Sequence, residues 1–160
     1  MIEQCRMIKL CRMINQCCMI RLFQIEDYDE VYRLWKRTPG IGLWSIDDSR
    51  EGLERFLRRN PTTNFVAEED GHIIGVMLGG HDGRRGYIYH ACVEEAYRRR
   101  SLGRQLMEKL IQAMKAENIT KLGLVCFKEN EKGNRFWSKL GWEQRCDINY
   151  YTAGINDDNK

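Results

Sequence analysis

The stretch of this sequence best suited to chemistry is a run of arginines followed by small residues, placed after an apolar segment and a short acidic loop. In order, the run is Arg98, Arg99, Arg100, Ser101, Leu102, Gly103 and Arg104. Small residues at a helix N-terminus let a ligand approach backbone N–H groups without helical partners, and the helix dipole favours an anion there. Arginine adds charge-assisted hydrogen bonds suited to phosphate. The pattern therefore predicts a pyrophosphate site.

The residues after this run predict the helix that such a site requires. Apolar side chains recur with the three- and four-residue spacing of one buried helix face, at Leu102, Leu106, Met107, Leu110, Ile111 and Met114. A predicted strand (87–93) precedes the run, and a second (121–127) follows the helix. Strands joined in this way lie parallel in one sheet. The alternative to a ligand site is a basic helix start in an ordinary strand-helix-strand unit.

The arginine run resembles the R/Q-x-x-G-x-G/A motif of the GNAT superfamily of acetyl-coenzyme A-dependent N-acetyltransferases. Arg98 takes the R/Q position, Ser101 the first glycine position and Gly103 the second. Serine departs from the motif, because a positive φ costs more for serine than for glycine. Within the superfamily, the sequence resembles most the ribosomal-protein alanine N-acetyltransferase branch.

A second block later in the chain carries the same resemblance. Asn130 and the run 134–142 resemble the N-x(6)-Y-x-x-L-G-F segment after the fifth strand of these enzymes, and the resemblance covers roughly residues 19–151. It implies acetyl-coenzyme A as co-substrate, with its pyrophosphate at the arginine run and its pantetheine arm between two splayed strands. The residues implied in coenzyme binding are Ala91, Cys92, Val93, Arg98, Arg99, Arg100, Ser101, Leu102, Gly103, Arg104, Asn130, Asn134 and Trp137. Asn130 is alternatively a helix N-cap.

The predicted elements follow the order β-α-α-β-β-β-α-β-α-β in a single α+β domain. Strands are predicted at 20–24, 65–69, 72–78, 87–93, 121–127 and 142–151, and helices at 27–36, 49–60, 102–118 and 131–140. Asp70-Gly71 suits a type I′ turn between the second and third strands. The resemblance implies a three-layer GNAT-like arrangement with a mixed, mostly antiparallel sheet and a splayed parallel pair formed by the fourth and fifth strands.

Amine acetylation requires a neutral amine, a stabilised oxyanion and a protonated thiol leaving group. A lysine amine with a pKa of about 10.4 must lose a proton, whereas an α-amino group near about 8 needs less help. The branch that the sequence resembles has a tyrosine acid in its penultimate helix and a glutamate base in its fifth strand. This chain has Trp137 and Val125 at those positions. An indole N–H is not a useful proton donor, so other groups must serve.

Substitute acids and bases lie on the fourth predicted strand. Tyr87 and Tyr89 share one face by strand alternation, and His90 is predicted on the other. A tyrosine donates or accepts a proton through its hydroxyl, and a histidine titrates close to neutral pH. These three residues are the catalytic candidates, and the alternative for each is a packing role in the sheet.

The acceptor site is predicted between loop 35–44 and turn 79–85. Asp47 and Asp48 either attract a cationic amine there or only cap the following helix. The predicted function is transfer of an acetyl group from acetyl-coenzyme A to a primary amine of a small molecule or protein. Two alternatives stay open: a non-catalytic acyl-coenzyme A-binding module, favoured by the missing acid and base, and an RNA-binding domain built on the arginines.

Length and charge limit the class of protein. A chain of 160 residues is normally one domain. Of the net charge of +3, residues 1–18 contribute +2, from three basic residues and one acidic residue. The remainder is near neutral, which argues against a nucleic-acid partner because such binding rests on many phosphate contacts. No apolar run approaches the length of a membrane span, so no membrane partner is expected. A monomer or a homodimer is predicted.

Cysteines are concentrated at the start of the chain, where four of the seven lie within residues 1–18. No C-x-x-C pair occurs and the histidines are scattered, so we predict no metal site and a reducing, cytoplasmic location. The same 18 residues carry a Met-Ile-x-x-Cys repeat with a six-residue period that fits neither helix nor strand. We interpret residues 1–18 as a leader outside the fold and residues 19–160 as the N-acetyltransferase domain. The alternative for the leader is a membrane-surface or metal-binding arm.

Overall fold

The computed structural model describes residues 18–160, so the predicted leader lies outside the described residues except for its last position. The strands are β1 (Met19–Leu22), β2 (Phe65–Glu69), β3 (His72–His81), β4 (Gly86–Val93) and β5 (Leu122–Leu124). The helices are α1 (Tyr28–Arg37), α2 (Arg50–Arg59), α3 (Leu102–Ala116) and α4 (Glu131–Lys139), with short 3₁₀ turns at Ile25–Asp27 and Glu95–Tyr97.

The strands form one mixed sheet in the order β1-β2-β3-β4-β5. Neighbouring strands from β1 to β4 are antiparallel, whereas β4 and β5 are parallel. The parallel pair follows from α3, because a strand-helix-strand connection brings the second strand beside the first in the same direction. The predicted α+β fold class, with one parallel pair in a mostly antiparallel sheet, is confirmed.

Helices cover both faces of the sheet and produce two apolar layers. On one face lies α3, and on the other lie α1 and α2. The buried helix residues are Leu102, Leu106, Met107, Leu110 and Met114 on the first face, and Val31, Leu34, Trp35 and Leu53 on the second. Each fully buried leucine contributes about 1.5–3 kcal/mol from removal of apolar surface from water. The sheet is therefore held rigidly between its helices.

Local sequence signals account for several of these boundaries. Asp70 has φ of 53° and Gly71 has φ of 78°, which is the backbone of the predicted type I′ turn between β2 and β3. The Ser49 hydroxyl accepts a hydrogen bond from the Gly52 N–H at 3.0 Å and caps α2. The predicted turn is confirmed.

The predicted sixth strand over 142–151 is wrong, because this segment has no regular pairing with the sheet. Its side chains beyond Trp142 are exposed, and Arg145 pairs locally with Asp147 at 2.6 Å. A strand needs a neighbouring ladder of hydrogen bonds, and the adjacent β5 is only three residues long. The short β5 therefore offers no ladder long enough to hold the predicted strand.

Candidate active site

A β-bulge in β4 decides which side chains share the site. Met77 pairs with Ala91 and Gly79 pairs with Ile88, so Leu78 of β3 lies opposite two residues of β4, Tyr89 and His90. An extra residue in one strand breaks the alternation of side chains between the two faces of the sheet. As a result, Tyr89 contacts α2 and His90 contacts α1 on the same face.

The prediction that His90 faces away from Tyr87 and Tyr89 is therefore wrong. Strict alternation of side chains along β4 would place His90 on the sheet face covered by α3. The bulge instead places it on the face covered by α1 and α2. All three catalytic candidates consequently lie on one side of the sheet. This is the arrangement that a shared acceptor site requires.

His90 is held by Asp48, which lies in the loop between α1 and α2. Nε2 of His90 is 2.7 Å from Oδ1 of Asp48, and the two side chains are only 14% and 9% exposed. The imidazole ring also packs against Trp35, with ring centres 4.7 Å apart. Because a carboxylate only accepts hydrogen bonds, it requires the hydrogen of the neutral imidazole to be on Nε2 and leaves the Nδ1 lone pair available.

The Asp48 carboxylate is itself fixed in place by the loop backbone. Its Oδ2 accepts a hydrogen bond from the Trp44 N–H at 2.7 Å, and its main-chain carbonyl accepts one from the Tyr28 hydroxyl at 3.0 Å. The helix-capping alternative for Asp48 is not realised, because Ser49 supplies the cap of α2. No sequence spacing indicates the pairing with His90, because the two residues are 42 positions apart.

The two tyrosines of β4 differ in their surroundings. The Tyr87 hydroxyl is buried and forms no hydrogen bond of normal geometry within residues 18–160, and burial together with the neighbouring Tyr150 phenol raises its pKa to about 12. Tyr89 is 55% exposed, and burial of part of its ring and the nearby Tyr150 raise its pKa as well. Both hydroxyls therefore stay protonated at neutral pH and are hydrogen-bond donors.

The start of α3 has the geometry of an anion site. Ser101 precedes the helix in the left-handed region, with φ of 63° and ψ of 9°, and its side chain does not cap the helix. The first N–H groups of a helix have no hydrogen-bond acceptor within the helix, so those of Leu102, Gly103 and Arg104 are available to donate to a ligand. The loop thus adopts the backbone that glycine usually provides and leaves the helix dipole accessible.

The arginine side chains divide into two pairs. Arg98 donates to the Val93 carbonyl at 3.0 Å, and Arg100 forms a two-bonded ion pair with the buried carboxylate of Glu69. Both therefore hold the loop against the sheet. Arg99 and Arg104 are exposed and have no ion pair within residues 18–160. These two guanidinium groups are available to a ligand.

A gap beside β4 adjoins this loop. The parallel pairing with β5 ends at Ile88 and Leu124, so within residues 18–160 the edge of β4 over 91–93 is unpaired on that side. Beyond the pairing, Val125 and Phe127 are exposed rather than packed against β4. The two strands therefore diverge, as predicted for the splayed pair. Cys92 is buried and its thiol pKa is raised to about 12, so it is a packing residue and not a nucleophile.

A model of the acetyltransferase (GNAT) family matches residues 28–142, which include the loop of Asp48, the bulge of β4, the arginine loop and α4. The chain belongs to the GNAT acetyltransferase family. An acetyltransferase of Yersinia pseudotuberculosis serotype I (strain IP32953) is 33% identical over 124 residues, which are 78% of this chain and 86% of that protein. An acetyltransferase of Sodalis glossinidius (strain morsitans) is 32% identical over 126 residues, 79% of this chain and 87% of that protein.

Solved GNAT structures share the fold at lower identity. Ard1 from Thermoplasma volcanium has a TM-score of 0.67 at 23% identity, covering 78% of this chain and 81% of its own. The aminoglycoside N-acetyltransferase AAC(6')-Iy in complex with CoA has a TM-score of 0.68 at 19% identity, covering 86% and 95%. A ribosomal-protein-alanine N-acetyltransferase from Brucella melitensis biovar Abortus 2308 has a TM-score of 0.64 at 18% identity, covering 87% and 100%. These structures share the fold of this chain, and the family match together with the two relatives named acetyltransferases shows that it is a GNAT-family enzyme.

Two asparagines of this GNAT domain hold the local backbone around α4. Asn130 Oδ1 accepts a hydrogen bond from the Gly133 N–H at 2.9 Å, so the N-cap role is realised. Asn134 Nδ2 donates to the Phe127 carbonyl at 2.8 Å and to the Asn130 carbonyl at 3.0 Å. They shape the loop that leaves β5, and their predicted contact with the coenzyme remains a proposal.

Trp137 of α4 lies in an aromatic cluster. Its ring centre is 4.9 Å from that of Phe136 and 5.1 Å from that of Trp142. Phe136 in turn packs on α3 at Gly103, where any added Cβ would come within 3.1 Å of its ring. Gly103 is therefore required for close packing of α3 and α4 as well as for access to the helix start.

Further features of residues 18–160 bear on membrane, metal and redox chemistry. None of their helices is long and apolar enough to cross a membrane. No group of three histidine, cysteine or acidic side chains in the same residues is arranged to hold a metal ion. Cys92, Cys126 and Cys146 are free thiols.

Proposed function

We propose that this GNAT enzyme transfers the acetyl group of acetyl-coenzyme A to a primary amine of a small molecule or protein. The observation that carries the proposal is the uncapped start of α3 after the left-handed Ser101, next to the unpaired edge of β4. The backbone N–H groups of Leu102, Gly103 and Arg104 would hold the pyrophosphate, with Arg99 and Arg104 supplying charge. The peptide groups of Ala91–Val93 would pair with the pantetheine arm as a missing strand does.

Acetyl-coenzyme A supplies an activated thioester, and the chain supplies the proton transfers and the oxyanion contact. Nδ1 of His90 removes a proton from the acceptor amine, and Asp48 stabilises the imidazolium that results. A backbone N–H at the bulge of β4 donates to the oxyanion. The amine nitrogen then bonds to the acetyl carbon as the C–S bond breaks. The products are an acetamide and the coenzyme thiol, whose proton comes from Tyr89 or water.

This assignment replaces the acid and base of the branch that the sequence resembles. Val125 and Trp137 carry no titratable group, whereas His90 carries an imidazole that is oriented by the Asp48 carboxylate. The buried Tyr87 hydroxyl and the half-exposed Tyr89 hydroxyl stay protonated, so they are donors and not bases. We propose a monomer or homodimer in a reducing, cytoplasmic compartment, consistent with the free thiols.

The proposal is tested by incubating the protein with acetyl-coenzyme A and a panel of amines, namely small amines, peptide α-amines and lysine peptides. Mass spectrometry should show an increase of one acetyl group on at least one class, and a thiol reagent should detect released coenzyme. Acetyl-coenzyme A alone should stabilise the fold by about 2.7 kcal/mol at one hundred times its dissociation constant. Stabilisation without any acetylated amine would favour the acyl-coenzyme A-binding alternative, and no stabilisation would reject the coenzyme site.

A further inference from the structure

A cavity of about 450 Å³ opens at the start of β4 on the face of α1 and α2. It is bounded by α2, the turn between β3 and β4, the first half of β4 and the side chain of Tyr150. Tyr89 lines the cavity. It is the residue before His90 in the chain, and both residues lie at the bulge of β4. A molecule in this cavity therefore contacts Tyr89, which precedes the proposed base in the chain.

Aromatic rings form the walls of this cavity. The rings of Tyr87 and Tyr89 are 5.1 Å apart, and that of Phe56 meets Tyr89 edge-on at 5.2 Å. Gly80 lies beneath Phe56, where a Cβ would come within 2.8 Å of the ring, so only glycine leaves room there. Rings arranged in this way hold a flat or apolar body by contact with their faces and edges.

One residue of the cavity wall has a hydroxyl group that is available to donate a hydrogen bond. The Tyr87 hydroxyl is buried beside the Tyr150 phenol and forms no hydrogen bond of normal geometry with the described residues. A buried polar group without a partner costs about 1–3 kcal/mol, and a ligand that accepts its hydrogen bond recovers this cost. Since the hydroxyl stays protonated at neutral pH, the ligand atom that meets it is an acceptor.

Most of the charged side chains around the cavity are arginines that form no ion pair within residues 18–160. Arg59 and Arg85 line it, and neither has an ion pair within residues 18–160. Among the described residues of the lining, the one acidic side chain is that of Asp82, which accepts hydrogen bonds from the N–H groups of Arg84 and Arg85 at 2.7 Å each. Its carboxylate therefore already has donors, and the two guanidinium groups have no counterion.

We infer that this cavity binds the carboxylate of an amine acceptor that carries an acidic group on an aromatic or apolar body. The carboxylate would accept hydrogen bonds from Tyr87, Arg59 and Arg85, while the amine end extends along Tyr89 to His90. Two unpaired guanidinium groups repel a polycationic acceptor, so this site disfavours amines with several positive charges. The inference rests on the proposed function and adds the class of acceptor.

The experiment compares two probes of nearly equal size, 4-(aminomethyl)benzoate and 4-(aminomethyl)benzamide, in which a charged carboxylate is replaced by a neutral carboxamide. Isothermal calorimetry measures the affinity of each for the full chain in the presence of coenzyme A, and turnover with acetyl-coenzyme A is measured in parallel. The variants are Arg59→Gln, Arg85→Gln and Tyr87→Phe. Arg84→Gln is the matched control, because Arg84 lies in the same turn without lining the cavity.

The wild-type protein should bind the benzoate at least tenfold more tightly than the benzamide. Arg59→Gln, Arg85→Gln and Tyr87→Phe should each reduce that ratio by threefold or more, and Arg84→Gln should keep it. Equal affinities for the two probes, no binding of either, or an equal loss in the Arg84 control would overturn the inference. Because binding is measured separately from turnover, acetylation of neutral amines with no preference for the benzoate would reject this inference and leave the proposed function standing.

Discussion

The carboxylate of Asp48 lies 2.7 Å from Nε2 of His90, and each of these side chains comes from a different layer of the molecule. Asp48 belongs to the loop between α1 and α2, whereas His90 belongs to the bulge of β4. The bulge turns the imidazole towards the loop, and the Trp44 N–H orients the carboxylate. The pair thus exists only when the helices are docked on the sheet, so in the proposed mechanism acetyl transfer depends on the position of that loop.

His90→Gln should lower kcat by about tenfold or more, because it removes the proposed base while retaining a polar side chain. Asp48→Asn should lower kcat as well, because a carboxamide can donate to Nε2 and reverse the preferred tautomer. Turnover is measured at saturating acetyl-coenzyme A across pH 5–9, with the melting temperature of each variant.

Asp47→Asn is the control for this pair, since Asp47 is exposed and bonds to Asn159 instead of His90. A purely structural role for Asp48 would alter the melting temperature and leave the pH profile of kcat in place. We expect the acidic limb of the kcat–pH profile to shift in Asp48→Asn and turnover to stay normal in Asp47→Asn.

Ser101→Gly should stabilise the protein by up to about 1 kcal/mol. The left-handed backbone at φ of 63° costs a residue with a Cβ about 1–2 kcal/mol, and the greater freedom of glycine in the unfolded chain offsets part of the gain. Ser101→Val should be destabilising, because a β-branched side chain tolerates this backbone least. Urea denaturation measures both, and a destabilised Ser101→Gly would show that the serine hydroxyl makes a contribution larger than the strain.

Arg99→Ala and Arg104→Ala should weaken acetyl-coenzyme A binding without lowering the melting temperature. Neither guanidinium has an ion pair within residues 18–160, so their removal breaks no described contact in the free protein. Arg98→Ala should weaken binding and also stability, since Arg98 holds the Val93 carbonyl. Lys109→Ala, an exposed position further along α3, is the control. Calorimetry at low and high salt should show a smaller salt dependence in the first two variants.

Glu69→Gln should destabilise the protein at neutral pH and have less effect in acid. The Arg100 guanidinium lowers the pKa of Glu69 below its ordinary value of 4.5, so the folded state favours the ionised carboxylate. This contribution is fully present above the unfolded pKa and is lost as the pH falls through the lower, folded pKa. The difference in melting temperature between wild type and variant should therefore shrink from pH 7 to pH 3. A difference independent of pH would mean that the ion pair does not contribute through charge.

Local features of this protein were predictable because neighbouring residues determine them. The turn at Asp70-Gly71 needs only two residues that tolerate positive φ, and Ser49 caps α2 through its own backbone neighbourhood. The spacing of apolar residues in α3 predicted both the helix and its buried face. The small residues after the arginine run likewise predicted an accessible helix start, since a helix end always leaves unpaired N–H groups.

The arrangement of the catalytic candidates was decided by contacts between distant segments. The bulge that brings His90 to the face of Tyr89 arises from pairing with β3, so strand alternation could not predict it. The ion pair of Arg100 with Glu69 depends on the β2–β3 hairpin lying beside the arginine loop. Apolar and polar residues alternate over 142–151 much as in a strand, yet this segment forms no ladder of backbone hydrogen bonds with the short β5. Side-chain patterns in the sequence specify which face a segment can bury, whereas only the packed sheet decides which partners are within reach.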